Sequence, residues 1–504
     1  MVRALVVAFA IVSSTAWAQA PTPEEAASAP DAPAPETELS SDEEVREQLA
    51  ALTTPGGLTS ERAAERAVTT APSMERARIA VRAAEAGARQ AWQGFFPQLE
   101  LSARYTRLSR VTQPAFGGVG FSGDQLAAAR AATAAVDDED ARFLWNTLID
   151  AFGDTDSFSF PVLLNQYAFR ASITLPVSEI ALSVLPGYRA ADTAADAQRA
   201  QVSVEERAVR LRARESYYEL ARARAALTVA EKAVEQVSAQ RRQIAALVEA
   251  GAAARVDLLR VDALLAQSRV NVARAQGGSA IAERALRLLM HAEAGEEIVI
   301  GEDFSQAVAS PPGSLPELTQ QALRDRTELQ ALSELADARE RNIRAELGRQ
   351  YPQLLVQANF DLSNPNNRII PQQQEFNGTW DLSVLLRWSP NEMGVARQRA
   401  EQARASLLET RADIDALRDA VRLEVAQSYE ELTAAQLAFE AARVGLTAAE
   451  ETYRVRSDQL RAGAAVTSDV IDAEAELTQA RLQLFDAAIG VRLARARLGQ
   501  AIGE

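Results

Sequence analysis

Cysteine is the first residue type that this sequence lacks. None of its 504 residues is a cysteine, which excludes disulfide bonds, thiolate metal ligands, cysteine nucleophiles and a lipid attached to an N-terminal cysteine. The single histidine, His291, lies near a predicted helix end and is expected to be a surface or capping residue. The sequence contains no glycine-rich phosphate loop and no cluster of His, Asp and Glu. We therefore expect no enzyme activity, no cofactor and no bound metal.

Positive charge and long apolar runs are also scarce. The chain has 53 lysine and arginine residues against 69 aspartate and glutamate residues, a formal net charge of -16. Because phosphate binding requires basic patches, nucleic acid is not expected as a partner. Beyond the N-terminus, no apolar run approaches the ~20 residues of a transmembrane helix. Any membrane-spanning part would therefore have to consist of β-strands.

The N-terminal residues have the three parts of a secretory signal peptide. Arg3 supplies the basic region, an apolar stretch follows, and Ala16–Ala18 form the small-residue cleavage site. Cleavage is predicted after Ala18, so that residues 1–18 are removed on export, and the site after Ala20 is the alternative. Residues 19–57 are then expected to form a Pro-, Ala- and Glu-rich linker with a short N-terminal helix.

After this linker the sequence appears twice. A Pro-Gln-Leu motif at residues 97–99 recurs at 352–354, an offset of 255 residues, and the Ala-Gly-Ala-Ala motif at 250–253 recurs at 462–465, an offset of 212. The smaller second offset means that the first copy carries extra sequence between the two motifs. The chain is therefore a tandem duplication whose halves are predicted to share one architecture.

The repeats define the predicted domain boundaries. Residues 58–300 form the first structural repeat, 301–315 an inter-repeat linker and 316–504 the second repeat. The extra sequence of the first copy covers about residues 108–166. Its segments Gln125–Val136 and Phe143–Phe152 indicate a small helical cap, which either restricts the outer mouth or, as the favoured alternative, is an inert surface loop.

Long segments of each copy have apolar residues at sevenfold spacing. This repeat averages 3.5 residues per turn and predicts antiparallel coiled-coil helices. The runs at about 190–249 and 395–461 would each extend roughly 90–100 Å. Hairpin tips are predicted near Gly251 and Gly463, where glycine can end a helix. In the second copy, the apolar seam along the helix before the tip, meaning its row of residues at sevenfold spacing, consists of Val425, Leu432, Phe439, Leu446, Tyr453 and Leu460.

Two other segments of each copy alternate between apolar and polar residues. The alternation predicts β-strands with two different faces at about 99–107, 167–175, 354–362 and 379–388. Each strand alone is equally compatible with a half-buried soluble sheet, but the aromatic strand ends and the signal peptide favour a membrane barrel. Four strands cannot close such a barrel. The protomer would have to oligomerise, and two, three or four copies are all compatible with the sequence.

This order of segments resembles the TolC family of outer-membrane efflux and type I secretion channels. The resemblance runs from about Leu58 to the C-terminus and rests on the duplicated helix–strand–strand–helix plan, the Pro-Gln-Leu motifs and the two tips. It implies a mainly α fold, with a long periplasmic α-barrel and a small transmembrane β part. Four strands from each protomer of a homotrimer would complete a 12-stranded β-barrel in outer-membrane lipid.

The same resemblance implies partners and a function. A periplasmic adaptor (a membrane fusion protein) and an inner-membrane pump would dock at the tips, and the chain would be the passive exit duct of an efflux pump or type I secretion system. The insertion at 108–166 would face the cell exterior. The alternative function, a periplasmic coiled-coil scaffold or tether, explains the heptads and the signal peptide but not two matching pairs of strands.

Residue roles at the tips also follow from the resemblance. Family members have a periplasmic constriction formed by aspartates six and nine residues after the second tip glycine, which implies Asp469 and Asp472 here, with Asp257 as the first-copy counterpart. Rings of carboxylates favour cations in a pore. The alternative role of Asp469 is to stabilise a helix N-terminus.

Gly251 and Gly463 match the tips at which the family's adaptors dock. Some members lock the closed tip with a tyrosine and an arginine, and Leu460 and Ala465 stand at those positions here. The lock is therefore in doubt in this chain. Candidate substitutes are Arg255 and Arg461.

Overall fold

The computed structural model describes residues 49–50, 53–110, 123–153, 163–251, 253–293, 295–306, 308, 310–370 and 372–504. The predicted signal peptide and most of the predicted linker lie outside the described residues. In the described part, none of the helices combines the length and the apolar character needed to cross a membrane.

The two halves of the chain repeat one order of elements, as the duplication predicts. The first half consists of α1 (Ser60–Thr70), α2 (Pro72–Trp92), β1 (Gln98–Arg107), α3 (Gly123–Ala134), α4 (Glu139–Gly153), β2 (Asn165–Pro176), α5 (Leu185–Glu249) and α6 (Arg255–Leu289). The second half consists of α7 (Leu315–Asp325), α8 (Thr327–Gly348), β3 (Gln353–Asn364), β4 (Asn377–Arg387), α9 (Pro390–Arg461) and α10 (Thr467–Ile502). The insertion of the first half contributes α3 and α4.

Two long helical hairpins dominate the molecule. Helix α5 has 65 residues and pairs with α6, while α9 has 72 residues and pairs with α10. The shorter helices α2 and α8 pack beside the strand-proximal parts of α5 and α9, and α10 packs against α5 to join the two hairpins. The apolar seam residues are buried in these contacts, including Leu220, Val425, Leu432, Leu446 and Leu477.

The helices meet the sheet at a tightly packed junction. A π-helical segment, Ile180–Val184, leads into α5, and Gly348 at the end of α8 lies directly against its backbone. A Cβ atom on Gly348 would stand only 1.8 Å from the carbonyl oxygen of Leu182. Only glycine permits this approach of two backbones.

The four strands form one antiparallel sheet in the order β1-β2-β3-β4. Leu101, Ala171, Phe360 and Trp380 lie side by side across it. Because side chains alternate along a strand, this register collects the apolar residues on one face and the polar residues on the other. In the described chain β1 and β4 are edge strands, each with one unpaired side.

Candidate pore-lining sheet and hairpin tips

The two hairpin tips have the same backbone geometry. Gly251 and Gly463 adopt φ values of +74° and +71°, in the left-handed region that glycine tolerates best. The amide of Ala464 donates to the carbonyl of Gln459 at 2.8 Å, and the amide of Ala253 makes the equivalent 3.2 Å bond to Leu247. Each tip is thus a Schellman-type helix end followed by a short turn. The role of these glycines in adaptor docking stays a prediction.

Asp469 and Asp472 lie one turn apart at the start of α10. Their spacing of three residues places both carboxylates on one side of the helix, next to the tip. Asp469 is half-buried, with Oδ2 3.9 Å from Nη1 of Arg456 in α9, and Asp472 is exposed. The position of Asp469 in the first turn also suits a helix N-terminus. Helix stabilisation and pore lining are therefore compatible roles, and pore lining stays a prediction.

Asp257 has a local structural role at the first tip. It is the third residue of α6, and its Oδ2 accepts a 3.3 Å hydrogen bond from the amide of Ala254, which precedes the helix. Its other oxygen lies 3.8 Å from Nη1 of Arg260. Asp257 thus caps its own helix. Its role in lining the pore would be a second role and stays a prediction.

The candidate lock residues are arranged differently from the family's tyrosine and arginine. Arg461 pairs within α9, with Nη1 2.8 Å from Oδ1 of Asp458. The arginine that joins α9 to α10 at the tip is instead Arg456, through Asp469. Arg456 was not predicted, because the resemblance to the family gives this position no role.

A second feature that was not predicted from the sequence lies two turns into α10. Glu474 of α10 is buried, and burial raises the pKa of its carboxyl to about 7, against the opposing effects of Arg481 and Tyr453. The sequence does contain a signal for this burial. Glu474 and Arg481 share a heptad position with Ala488 and Ile502, which are fully buried.

The apolar face of the sheet is exposed in the single chain. Leu101 has 72% and Trp380 75% of its surface accessible, and the side chains beside them on this face are exposed or half-buried. Soluble monomers rarely expose such a contiguous apolar surface. The other large exposed residues of the face are Leu99, Tyr105, Tyr167, Phe169, Ile173, Phe360, Leu382, Val384 and Leu386.

The polar face carries hydrogen-bonded charges. Nε of Arg170 lies 3.0 Å from Oδ2 of Asp361 on the neighbouring strand, and the amide of Asn359 donates to Asp381 at 2.8 Å. Arg368, in the β3–β4 loop, folds back to pair with the other oxygen of Asp381 at 2.5 Å. One face is therefore suited to lipid and the other to water.

A comparison with protein-family models decides between the channel and the scaffold. The model described as outer membrane efflux protein matches residues 63–291 and 318–504, in two segments that correspond to the two repeats. The chain belongs to the outer membrane efflux protein family. No curated protein sequence matches it closely enough to count as a relative.

Solved structures agree with this assignment at the level of the fold. The transmembrane channel protein CusC superposes with a TM-score of 0.70 at 14% identity, over 90% of this chain and 93% of CusC. The outer-membrane channel OprN gives 0.67 at 16% identity, over 94% and 98%. CmeC, the outer membrane channel of Campylobacter jejuni, gives 0.65 at 13% identity, over 92% and 86%. At such identities the matches demonstrate a shared fold.

As a member of the outer membrane efflux protein family, the chain is an outer-membrane efflux channel protein. Its location is the outer membrane. The predicted mainly α fold with four antiparallel strands and an internal duplication is confirmed, as is the resemblance to TolC-type channels. Nothing in the comparisons supports the scaffold or tether.

Proposed function

We propose that three copies of this chain form one passive conduit through the outer membrane. The observation that carries the proposal is the sheet, which has one exposed apolar face and two unpaired edges in the described chain. In lipid, unpaired strand edges are too costly to persist, so neighbouring copies must pair them. Three copies, as the resemblance implies, supply twelve strands and place the Arg170–Asp361 pairs around an aqueous lumen.

The periplasmic end of this conduit would be narrowed by aspartates. Three copies of Asp469 and Asp472 supply six carboxylates near the tip, in a site that attracts cations and repels anions. The placement of both residues beside the second tip supports the assignment. Arg456 lies beside Asp469 and compensates part of its negative charge. The charge of Asp472 would therefore contribute more to the negative potential in the pore.

The conduit would work with an adaptor and an energised inner-membrane pump. The tips offer docking surface, since apolar side chains are exposed at the start of α6, at Val256 and Leu259, and at Val466, which immediately precedes α10. Co-purification of the native adaptor with the full-length chain, and its loss in a Val466→Asp variant that still assembles, tests this docking. Retention of the adaptor by that variant would exclude the second tip as a docking site.

The ring assignment is tested by ion selectivity in planar bilayers. Wild-type channels should prefer cations, and an Asp469→Ala, Asp472→Ala double variant should lose most of this preference because the fixed charge at the narrowest point is removed. Asp486→Ala is a matched control, because Asp486 lies on the same helix but pairs with Arg222 at 2.5 Å. Equal selectivity in the double variant and the wild type would rule out the ring.

A further inference from the structure

Unpaired polar side chains interrupt the apolar contact between the two long hairpins. Glu474 of α10 is 3% exposed and Gln240 of α5 is 6% exposed. Among the described residues, no group hydrogen-bonds to either carboxylate oxygen of Glu474, to either amide atom of Gln240 or to Nε of Arg481. Buried polar groups without partners oppose the packing that buries them. This contact is therefore weaker than its burial suggests.

Two flanking contacts place these groups in the seam where α10 joins α5. Ile471, one turn before Glu474, packs against the apolar cluster that contains Val237 and Ile244 of α5. Arg481, two turns after Glu474, donates from Nη1 to Oε1 of Gln236 in α5 at 3.0 Å. Since α5 and α10 belong to different hairpins, the polar seam lies at their junction. It begins two turns, about 10 Å, from the start of α10.

Few charged groups act on Glu474. Its own helix contributes Arg481, and α9 contributes the phenol of Tyr453, which faces the carboxyl outside normal hydrogen-bond geometry. On the α5 side of the seam, the side-chain amide of Gln236 is engaged by Arg481. The nearest α5–α6 ion pair, between Arg241 and Asp262 at 2.5 Å, is already satisfied.

We propose that this seam is a proton-controlled joint between the two hairpins, closed when the Glu474 carboxyl is neutral and released when it is ionised. A carboxylate needs water or a positive partner, and the closed seam gives it neither in full. Separation of α10 from α5 would hydrate both Glu474 and Gln240. Asp469 and Asp472 lie on the same helix as Glu474 and would move with it. The effect on conduction rests on the proposed channel function, whereas the joint itself does not.

The sign of the pH dependence follows from burial. Because burial raises the pKa of Glu474 from its ordinary 4.5 to about 7, the closed seam binds the proton more tightly than the open one. The closed seam is therefore most stable below pH 4.5 and weakens as the pH rises through about 7.

A distance measurement across the seam tests the joint directly. Because the chain lacks cysteine, spin labels can be placed at Ala239→Cys of α5 and Ala475→Cys of α10, both exposed positions. In the purified full-length protein we expect the label–label distances to lengthen between about pH 5.5 and pH 8.5. The shift should vanish in Glu474→Gln, which keeps the side-chain volume but cannot ionise. It should persist in Glu476→Gln, an exposed neighbour on the same helix.

Conductance supplies the second readout. In planar bilayers the wild-type channel should conduct more at pH 8.5 than at 5.5, and Glu474→Gln should reduce that ratio towards one while both ring aspartates remain. An unchanged pH response of the label distances in Glu474→Gln would overturn the joint. A distance response that depends on Glu474, combined with no conductance at either pH, would preserve the joint and contradict the channel proposal instead.

Discussion

Buried charges in this protein have two different fates. Arg326, 5% exposed, is fully engaged: its Nε donates to the carbonyl of Ala501 at 3.0 Å and its Nη2 lies 2.7 Å from Oε2 of Glu424. It ties the start of α8 to the last turn of α10 and to α9. Glu474, by contrast, is buried without hydrogen-bond partners among the described residues. The bonds of Arg326 hold α8, α9 and α10 together, whereas the unpaired carboxyl of Glu474 weakens the contact between α10 and α5.

An Arg326→Ala variant should lose about 2–4 kcal/mol of stability, because it leaves the carbonyl of Ala501 and the carboxylate of Glu424 without their partner. Thermal unfolding of the detergent-solubilised protein measures the loss. Arg324→Ala is the control, since Arg324 is exposed on the neighbouring helix α7. Similar melting temperatures for the two variants would show that Arg326 does not clamp the C-terminal helix.

At the residue scale, the sequence predicted which residues lie at the tips better than it predicted their contacts and burial. Asp469, Asp472 and Asp257 were found because a glycine-anchored spacing identifies them. The capping of Ala254 by Asp257 and the pairing of Asp469 with Arg456 were not predicted, because both depend on how the chain turns at the tip. Burial of Glu474 was not predicted, although the heptad position that it shares with the buried Ala488 and Ile502 carried the signal, because a carboxylate is ordinarily expected on the solvated face of a helix.

At the scale of elements, tip glycines and helix glycines should respond in opposite ways to the same substitution. Gly463→Ala should destabilise by about 1–2 kcal/mol, because alanine is strained at the φ of +71°. Gly445→Ala, in the interior of α9, should stabilise by up to about 1 kcal/mol, because alanine favours the helix and a Cβ there meets no atom within 4 Å.

Thermal unfolding compares the two glycine variants under identical conditions. Opposite shifts in melting temperature are the expected result. Stabilisation by both substitutions would mean that the left-handed conformation at Gly463 is not required for the tip.

Elements were the most predictable level of this structure. The heptads predicted long helices at about 190–249 and 395–461, and α5 and α9 begin five residues earlier. Their strand-proximal ends pack beside the shorter helices α2 and α8, outside the heptad seam. The strands were placed within about two residues, since alternation is strong in each. The backbone contact between Gly348 and Leu182 was not predictable, because it joins segments far apart in the sequence.

At the scale of the whole molecule, the open edges of the sheet show that other copies of the chain are needed, but they do not fix the number of copies. Two, three or four copies would each remove the open edges, and the choice depends on strand tilt and on packing between hairpins of different copies. Neither quantity is encoded in one local segment. The expected trimer comes from the family resemblance. The alternation of apolar and polar residues indicates only that the sheet must be closed into a barrel by other copies.

The number of chains in the membrane-extracted particle tests the central claim most directly. Native mass spectrometry of the full-length protein, purified from outer membranes in mild detergent, should give a single species of three chains that resists mild heating. Four strands per chain then account for a closed twelve-stranded barrel. A stable monomer that stays in solution without detergent, its sheet complete in one chain, would contradict the account.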